Sequence, residues 1–349
     1  MIGKFLKLIG GLALWGVFFL VIFFVWAMLK EYSPEEVEEY PTLAQSQPIT
    51  NDTITIISWN IGYAGLGSDM DFFLDGGQSS RTSRGRTLEN LDGIISFIEK
   101  WQDSVDFVLL QEVDFGSFRT YGINEYDTIV KHFGKAFHYY KAKNFEVFYV
   151  PIPLGNAIGQ VSAGVMTMSR YAPSAARRLS YPSTGWWPYS MFELKRCMLS
   201  VELPIEGRQE ALYINNTHNS AYDSGGEGRA KEIGFMALFL SDKKYSVTAG
   251  DWNSVPPGYT MSQAEKEDKY FNPASVSRSD FGADFYFASD VENPSARYGY
   301  EPYRRGITTT TVIDFAVSSP NVEPIMVECI DLGFANSDHN PVVYKFVIK

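Results

Sequence analysis

Asp251 and Asn253 stand two residues apart in Gly250-Asp251-Trp252-Asn253, directly after the strand-like run Tyr245–Ala249. Side chains at i and i+2 of an extended segment point the same way, so this carboxylate and carboxamide can converge on one point at a strand end. A carboxylate takes a proton from water and an amide holds an oxygen in place, the minimum equipment of a hydrolase. Taken alone the motif reads as a turn, because Asp and Asn are turn residues and Gly250 lets the backbone bend. Its company reverses that reading. Trp59-Asn60 ends one apolar run, Gln111-Glu112-Val113-Asp114 another and Asn216-Thr217-His218-Asn219 a third. Asp314 lies within the apolar run 311–317. A carboxylate there is costly unless an imidazole or a divalent ion partners it. Ser337-Asp338-His339-Asn340-Pro341 leads into the last run, and two of the chain's 4 histidines, His218 and His339, fall in these motifs.

The elements that must position these groups alternate β-rich runs with amphipathic segments. The pattern predicts strands over 53–59, 106–111, 161–169, 197–203, 211–216, 245–249, 312–317 and 342–347. Leu88, Leu91, Ile94, Ile95 and Ile98 share one face of a helix predicted over 88–101, and Ile233, Met236, Ala237 and Leu240 mark another over 229–240. Many strands with few helices between them point to a layered α/β protein with helices covering sheets. The aromatic stretch 133–153 and Trp186-Trp187-Pro188-Tyr189 read as loops, their rings either ordinary packing or a lip facing a substrate.

Composition narrows the class. The chain has 349 residues, 45% hydrophobic and 20% charged, which is globular and leaves about 300 residues after the N-terminal segment for one large core or two smaller domains. Cys197 and Cys329 are the only cysteines, too few for a disulfide framework or a zinc cluster. They read as two buried thiols, with a single bridge the alternative in an oxidising compartment. Net charge is −11; the first thirty residues hold three lysines and no acid, so residues 31–349 carry −14. So acidic a body disfavours tight, non-specific binding to nucleic acid, although a local basic patch or a bound cation still permits a nuclease.

Leu8–Leu29 contains no charged residue. At about 1.5 Å per residue it spans a hydrocarbon core of roughly 30 Å. It is longer than the apolar region of a cleaved signal peptide and no A-x-A site follows it, so residues 1–30 read as an uncleaved anchor. Lys4 and Lys7 precede the span, and Lys30 with a run of glutamates follows it. Counting positive charges places the N-terminus in the cytoplasm and the body outside. The acidic stretch 31–52 reads as a polar tether, and 53–349 as the catalytic domain.

In order, Trp-Asn, Gln-Glu-Val, Thr-His, Gly-Asp-Trp-Asn, Ile-Asp-Phe and Ser-Asp-His resemble the endonuclease/exonuclease/phosphatase superfamily, as does Gly164-Val165-Met166-Thr167-Met168-Ser169-Arg170 in mid-chain. The resemblance covers nearly all of 53–349. It implies a four-layer sandwich of two mainly antiparallel sheets flanked by helices, here preceded by one transmembrane helix, and one or two Mg²⁺ ions. Independently, oxygen-rich donors without thiolates favour Mg²⁺, Mn²⁺ or Ca²⁺ over zinc. By the family pattern Glu112 is the principal metal ligand with Asn60 beside it, and Asp338 supports the metal or a second one. Asp251 orients or deprotonates the attacking water, and Asn253 holds water or a phosphoryl oxygen. His339 contacts the phosphate with Asp314 fixing its ring, and His218 is the candidate acid for the leaving oxygen. Apurinic endonucleases usually carry another residue at that position, which counts against that branch.

The expected activity is metal-dependent hydrolysis of a phosphoester by in-line attack of water. A membrane-held lipid head group is the first substrate class and DNA or RNA outside the cytoplasm the second; an inactive, membrane-associated binding module is the third reading. Arg81, Arg84, Arg86, Arg304 and Arg305 lie in loops near the motifs. Arg86 and Arg305 are the candidates for gripping a phosphate, since Arg forks phosphate oxygens; solvated loop charge is the plain alternative.

Overall fold

A computed structural model describes residues 2–349 except Ala44, Ser183, Thr184, Trp186, Pro188, Tyr222, Ser224 and Gly225. Two of the four residues in the Trp186–Tyr189 stretch therefore lie outside the described residues. The main elements are α1 (Ile2–Lys30), β1 (Val37–Tyr40), β2 (Thr53–Asn60), α2 (Arg84–Trp101), β3 (Phe107–Asp114), α3 (Glu125–Phe133), β4 (His138–Val150), β5 (Gly159–Ser169) and β6 (Ala175–Ser180). They continue with β7 (Cys197–Leu203), β8 (Leu212–His218), α4 (Glu227–Leu240), β9 (Tyr245–Asp251), β10 (Tyr286–Ala288), β11 (Asp314–Ser318), β12 (Val322–Cys329) and β13 (Val342–Ile348).

The strands form two sheets, of order β1-β6-β7-β8-β9-β11-β10 and β12-β13-β2-β3-β5-β4. Only β2–β3 and β8–β9 are parallel among these pairs. Alternation along each strand builds the layers. Ile54 and Ile56 of β2 meet Ile214 of β8 and Val247 and Ala249 of β9 in the core between the sheets. Ile57 and Trp59 face the other way, onto Leu91, Ile94 and Ile98 of α2 and Ile129 of α3. On the sheet that holds β7 and β11, Met198, Phe315 and Val317 face Ile233, Met236 and Leu240 of α4. Helices thus cover both outer faces of a two-sheet sandwich, as the motifs implied. The apolar patterns end in caps where the chain must turn: the Ser83 side chain accepts from Arg86 N at the start of α2, and that of Asn124 from Asp127 N at the start of α3.

Three expectations need correction. The aromatic stretch 133–153 is mostly β4, a strand of 13 residues pairing with β5, not a loop. Its lysines alternate with aromatic and apolar side chains at an edge of the sheet, a weak strand signal. Within the segment read as a tether, β1 pairs with β6 and Ile49 is buried. Glu31 also pairs with Lys195 at 2.9 Å, so the segment is folded onto the body. The strand near Asp314 begins at that residue instead of containing it, which makes Asp314 a strand-end group like the others. Cys197 and Cys329 are both free and buried.

Candidate active site

Asn60, His218 and Asp251 are the last residues of β2, β8 and β9, and Asp314 is the first of the antiparallel β11. Each falls on the alternation that faces the opposite sheet, so the sandwich brings all four to one end of its interior. There they meet a cavity of about 230 Å³ whose lining includes Glu112, His218, Asp251, Asn253, Asp338 and His339.

The groups are tightly connected. Asn60 Nδ2 donates to Asp251 Oδ2 at 2.9 Å and lies 3.4 Å from Glu112 Oε1. Asp251 Oδ1 accepts from Asn253 N at 2.9 Å, and Asn253 Nδ2 donates to Asn219 O at 2.8 Å. His339 Nδ1 sits 2.7 Å from Asp314 Oδ2, and its Nε2 is 3.8 Å from Asp251 Oδ2. Trp59 Nε1 holds the His339 carbonyl at 2.9 Å. His218 Nε2 lies 3.5 Å from Asp251 Oδ2 and 3.8 Å from Glu112 Oε1, while its buried Nδ1 has no partner.

Backbone strain concentrates here. Glu112 has φ +52, a conformation that ordinary L-residues avoid, and Asn253 has φ +46, one that asparagine tolerates. On the alternation of β3, Phe107 and Leu109 face the inter-sheet core and Val108 and Leu110 face the helices, so Glu112 would face the helices too. The register of β3 on β5 shifts between Leu110 and Val113, and this bulge turns Glu112 into the cavity. Gly250 does not turn the chain; β9 runs through it to Asp251. A Cβ there would lie 1.9 Å from Thr217 O, so glycine is what lets β8 and β9 meet beside Asp251.

The local field pushes the two histidines apart. Burial, then the positive charges of Arg196, His339 and Arg119, hold His218 well below the usual imidazole range. Burial also opposes charge on His339, but the carboxylates of Asp314 and Asp251 outweigh it and raise His339 well above that range. Burial raises the Asp251 carboxyl to about 7, against the charge of His339. Desolvation and the charge of Asp338 push Glu112 up. Carboxylates facing one cavity without a cation oppose each other's ionisation. The donors are carboxylate and amide oxygens with no thiolate among them, and they fit a hard divalent cation. Asp251, Asp314 and His339 also place ligand atoms within 4.8 Å of one another. The 2.7 Å contact makes Asp314 and His339 a hydrogen-bonded pair, so Glu112, Asn60 and Asp338 are the better candidates to hold the ion.

Arg86 and Arg305 are not brought to the cavity. Arg86 is spent on Asp69 at 2.9 Å and on Ala335 O at 2.9 Å, and Arg305 pairs with Asp331 at 2.8 Å with its side chain 70% exposed. Three other arginines, Arg119, Arg196 and Arg297, line the cavity. Arg119 is ion-paired with Asp114, and Arg297 caps the carbonyls of Leu66, Gly67 and Met70. Among the described residues the Arg196 guanidinium makes one long bond, 3.4 Å to His218 O, and it is the guanidinium best placed to meet a ligand. Its signal is topological: it immediately precedes β7, whose first residues pair antiparallel with the end of β8 at His218.

The sequence profile of the Endonuclease/Exonuclease/phosphatase family matches residues 57–339. No curated protein matches the chain by sequence. Among solved structures, the endonuclease/exonuclease/phosphatase from Beutenbergia cavernae is 19% identical with a TM-score of 0.58, over 85% of this chain and 72% of that one. The endonuclease/exonuclease/phosphatase from Bacteroides vulgatus is 13% identical with a TM-score of 0.54, over 85% and 99%. A family protein from Bacteroides thetaiotaomicron is 12% identical with a TM-score of 0.53, over 87% and 99%. At these identities the likeness is one of fold. The match across most of the chain settles its membership: it belongs to the endonuclease/exonuclease/phosphatase family, whose members hydrolyse phosphoester bonds.

Proposed function

We propose that this protein is a membrane-anchored, Mg²⁺- or Mn²⁺-dependent phosphoester hydrolase. The observation that supports it most is the convergence of Glu112, His218, Asp251, Asn253, Asp338 and His339 on one cavity at one end of the sandwich, with Asn60 bonded to Asp251 and Asp314 to His339. Glu112, Asn60 and Asp338 are assigned to the metal, which would supply a Lewis acid for the phosphoryl oxygens.

Asp251 is the group that takes a proton from the attacking water. Its carboxyl at about 7 matches that task near neutral pH. Asn60 and Asn253 fix its oxygens, so the base is aimed before substrate arrives. His339, held as an imidazolium by Asp314, faces the charge that grows on the phosphoryl oxygens. His218 serves the leaving oxygen. It is neutral in the free protein, and an anionic substrate beside it is the charge that raises its pKa and loads it with a proton.

A lipid head group is the favoured substrate. Tethering beside a bilayer raises the effective concentration of lipid. α1 is long and apolar enough to cross a membrane over Ile9–Lys30, and the lining of the cavity includes Phe72, Phe73, Phe145, Ile152 and Leu194. Lys4 and Lys7 before the span, against Lys30 after it, support an orientation with the N-terminus in the cytoplasm and the body outside. The test is a screen of the purified full-length protein with Mg²⁺ over phospholipids in mixed micelles, plasmid DNA, RNA and sugar phosphates. Head-group release supports the reading, nicking of plasmid or RNA cleavage replaces it with a nuclease, and no turnover on any of them overturns it.

A further inference from the structure

The hairpin joining β4 to β5 carries no charged residue from Val147 to Ile158. Its tip is exposed and apolar: Leu154 is 93% exposed, Tyr149 48% and Ile152 47%. Scattered exposed apolar residues need no explanation, but a contiguous uncharged tip does. Its position supplies one. The Phe148 ring packs on Trp26 at 4.4 Å and on Phe23 at 6.3 Å, both in α1, and Trp187 packs on Phe24 at 5.8 Å.

These contacts set a depth. Lys30 ends the apolar helix, and Trp26 and Phe23 lie four and seven residues before it. At about 1.5 Å per residue, Phe148 sits roughly 6–10 Å deeper along the span than Lys30. That is about the depth to which amphipathic elements bury in the headgroup–acyl boundary, roughly 5–10 Å. No slack separates helix and body. Glu31, directly after Lys30, is ion-paired with Lys195 at 2.9 Å, and Tyr32 Oη donates to Lys143 O at 3.5 Å. A bilayer that contains α1 therefore meets the hairpin as well.

The same hairpin walls the cavity. Phe145, Val150, Ile152 and Ile158 all line it. We propose that the uncharged hairpin 147–158 is a second membrane contact, which inserts beside α1 and holds the rim of the catalytic cavity on the bilayer surface. The inference rests on the reading of α1 as a membrane span. It gives a lipid phosphoester a short path, with its head group entering the cavity while its chains stay along the apolar rim.

The test uses the full chain in vesicles of phosphatidylcholine carrying spin-labelled acyl chains. Single cysteines at Phe18→Cys in mid-span, Leu154→Cys at the tip and Ile325→Cys on the opposite sheet edge are labelled with a fluorophore; native Cys197 and Cys329 are buried and stay unlabelled. Quenching is expected at 18 and 154 and not at 325. Quenching at 18, with 154 no different from 325, overturns the hairpin contact and leaves the anchor. No quenching at 18 removes the anchor and the proposal with it.

A second arm reads function with Tyr149→Glu/Leu154→Glu, neither of which lines the cavity. Turnover of phospholipid in vesicles should fall about tenfold or more while turnover of a soluble chromogenic phosphodiester is unchanged. Equal retention of both overturns the role of the hairpin in presenting substrate. The quenching result needs no turnover, so its failure and a failure of the phosphoesterase reading are separate outcomes.

Discussion

The Nδ2 of Asn60 lies 2.9 Å from Oδ2 of Asp251, a hydrogen bond that ties the end of β2 to the end of β9 across the two sheets. Below it Gln111 Nε2 donates to Asn216 Oδ1 at 2.8 Å, and Asn216 Nδ2 donates to the carbonyls of Leu110 and Met166. Amides bridge the sandwich at the level where it stops being apolar, and they hold the cavity's walls in register. Asn60→Ala removes both the aim of Asp251 and a candidate metal ligand. It should lower kcat by about two orders of magnitude or more, read by steady-state kinetics beside an unchanged circular dichroism spectrum.

The opposed shifts of the two histidines give a pH signature for the metal-free protein. His339 should stay protonated well above pH 6.5 and His218 neutral well below it, read from imidazole NMR shifts. The sign for stability follows. The pKa of His339 is raised, so its pairing with Asp314 stabilises the fold fully below the unfolded value of about 6.5 and fades as pH rises through the folded value. Asp314→Asn should remove that component and bring the His339 titration back down. A His339 midpoint unmoved by Asp314→Asn would contradict the pairing.

Among the described residues the Arg196 guanidinium makes one hydrogen bond, at 3.4 Å to the His218 carbonyl, and Arg196 lines the cavity. Arg196→Ala should raise KM for a phosphoester about tenfold with a smaller change in kcat, whereas Arg86→Ala and Arg305→Ala should leave both within about twofold.

Gly250 answers to a steric demand. A Cβ at 1.9 Å from Thr217 O forces β8 and β9 apart, so Gly250→Ala should destabilise the fold by about 2–4 kcal/mol, measured by urea unfolding. A loss under about 0.5 kcal/mol would mean the strands relax freely.

Much of this was legible before the fold. Asn60, His218 and Asp251 lie one or two residues past the predicted strands 53–59, 211–216 and 245–249, and the alternation of each strand, continued, gives them the face that looks across the sandwich. What alternation cannot show is an insertion. Glu112 reaches the cavity through a bulge with φ +52, which leaves no mark on the pattern of Phe107–Leu110. The sequence hides β4 because Lys141 and Lys143 alternate with Tyr140 and Ala142 for only a few residues before register shifts at Lys143/Phe145 and Val147/Val150 break the period. Arg196 carries no motif of its own; its proximity to His218 comes from strand pairing. Arg86 and Arg305 are near the motifs in sequence, but in the fold Asp69 and Asp331 claim them.

The central claim is that Asp251 handles the attacking water in a metal-dependent hydrolysis. Its most direct test is turnover of the phosphoester found in the screen, by wild-type protein with Mg²⁺, by the same protein in excess EDTA and by Asp251→Ala with its melting temperature recorded. The account predicts loss of turnover in EDTA with recovery on added Mg²⁺ or Mn²⁺, and a fall of about 10³-fold or more in a folded Asp251→Ala protein. Turnover that persists in the chelator, or a folded Asp251→Ala protein with near-wild-type rates, would contradict it.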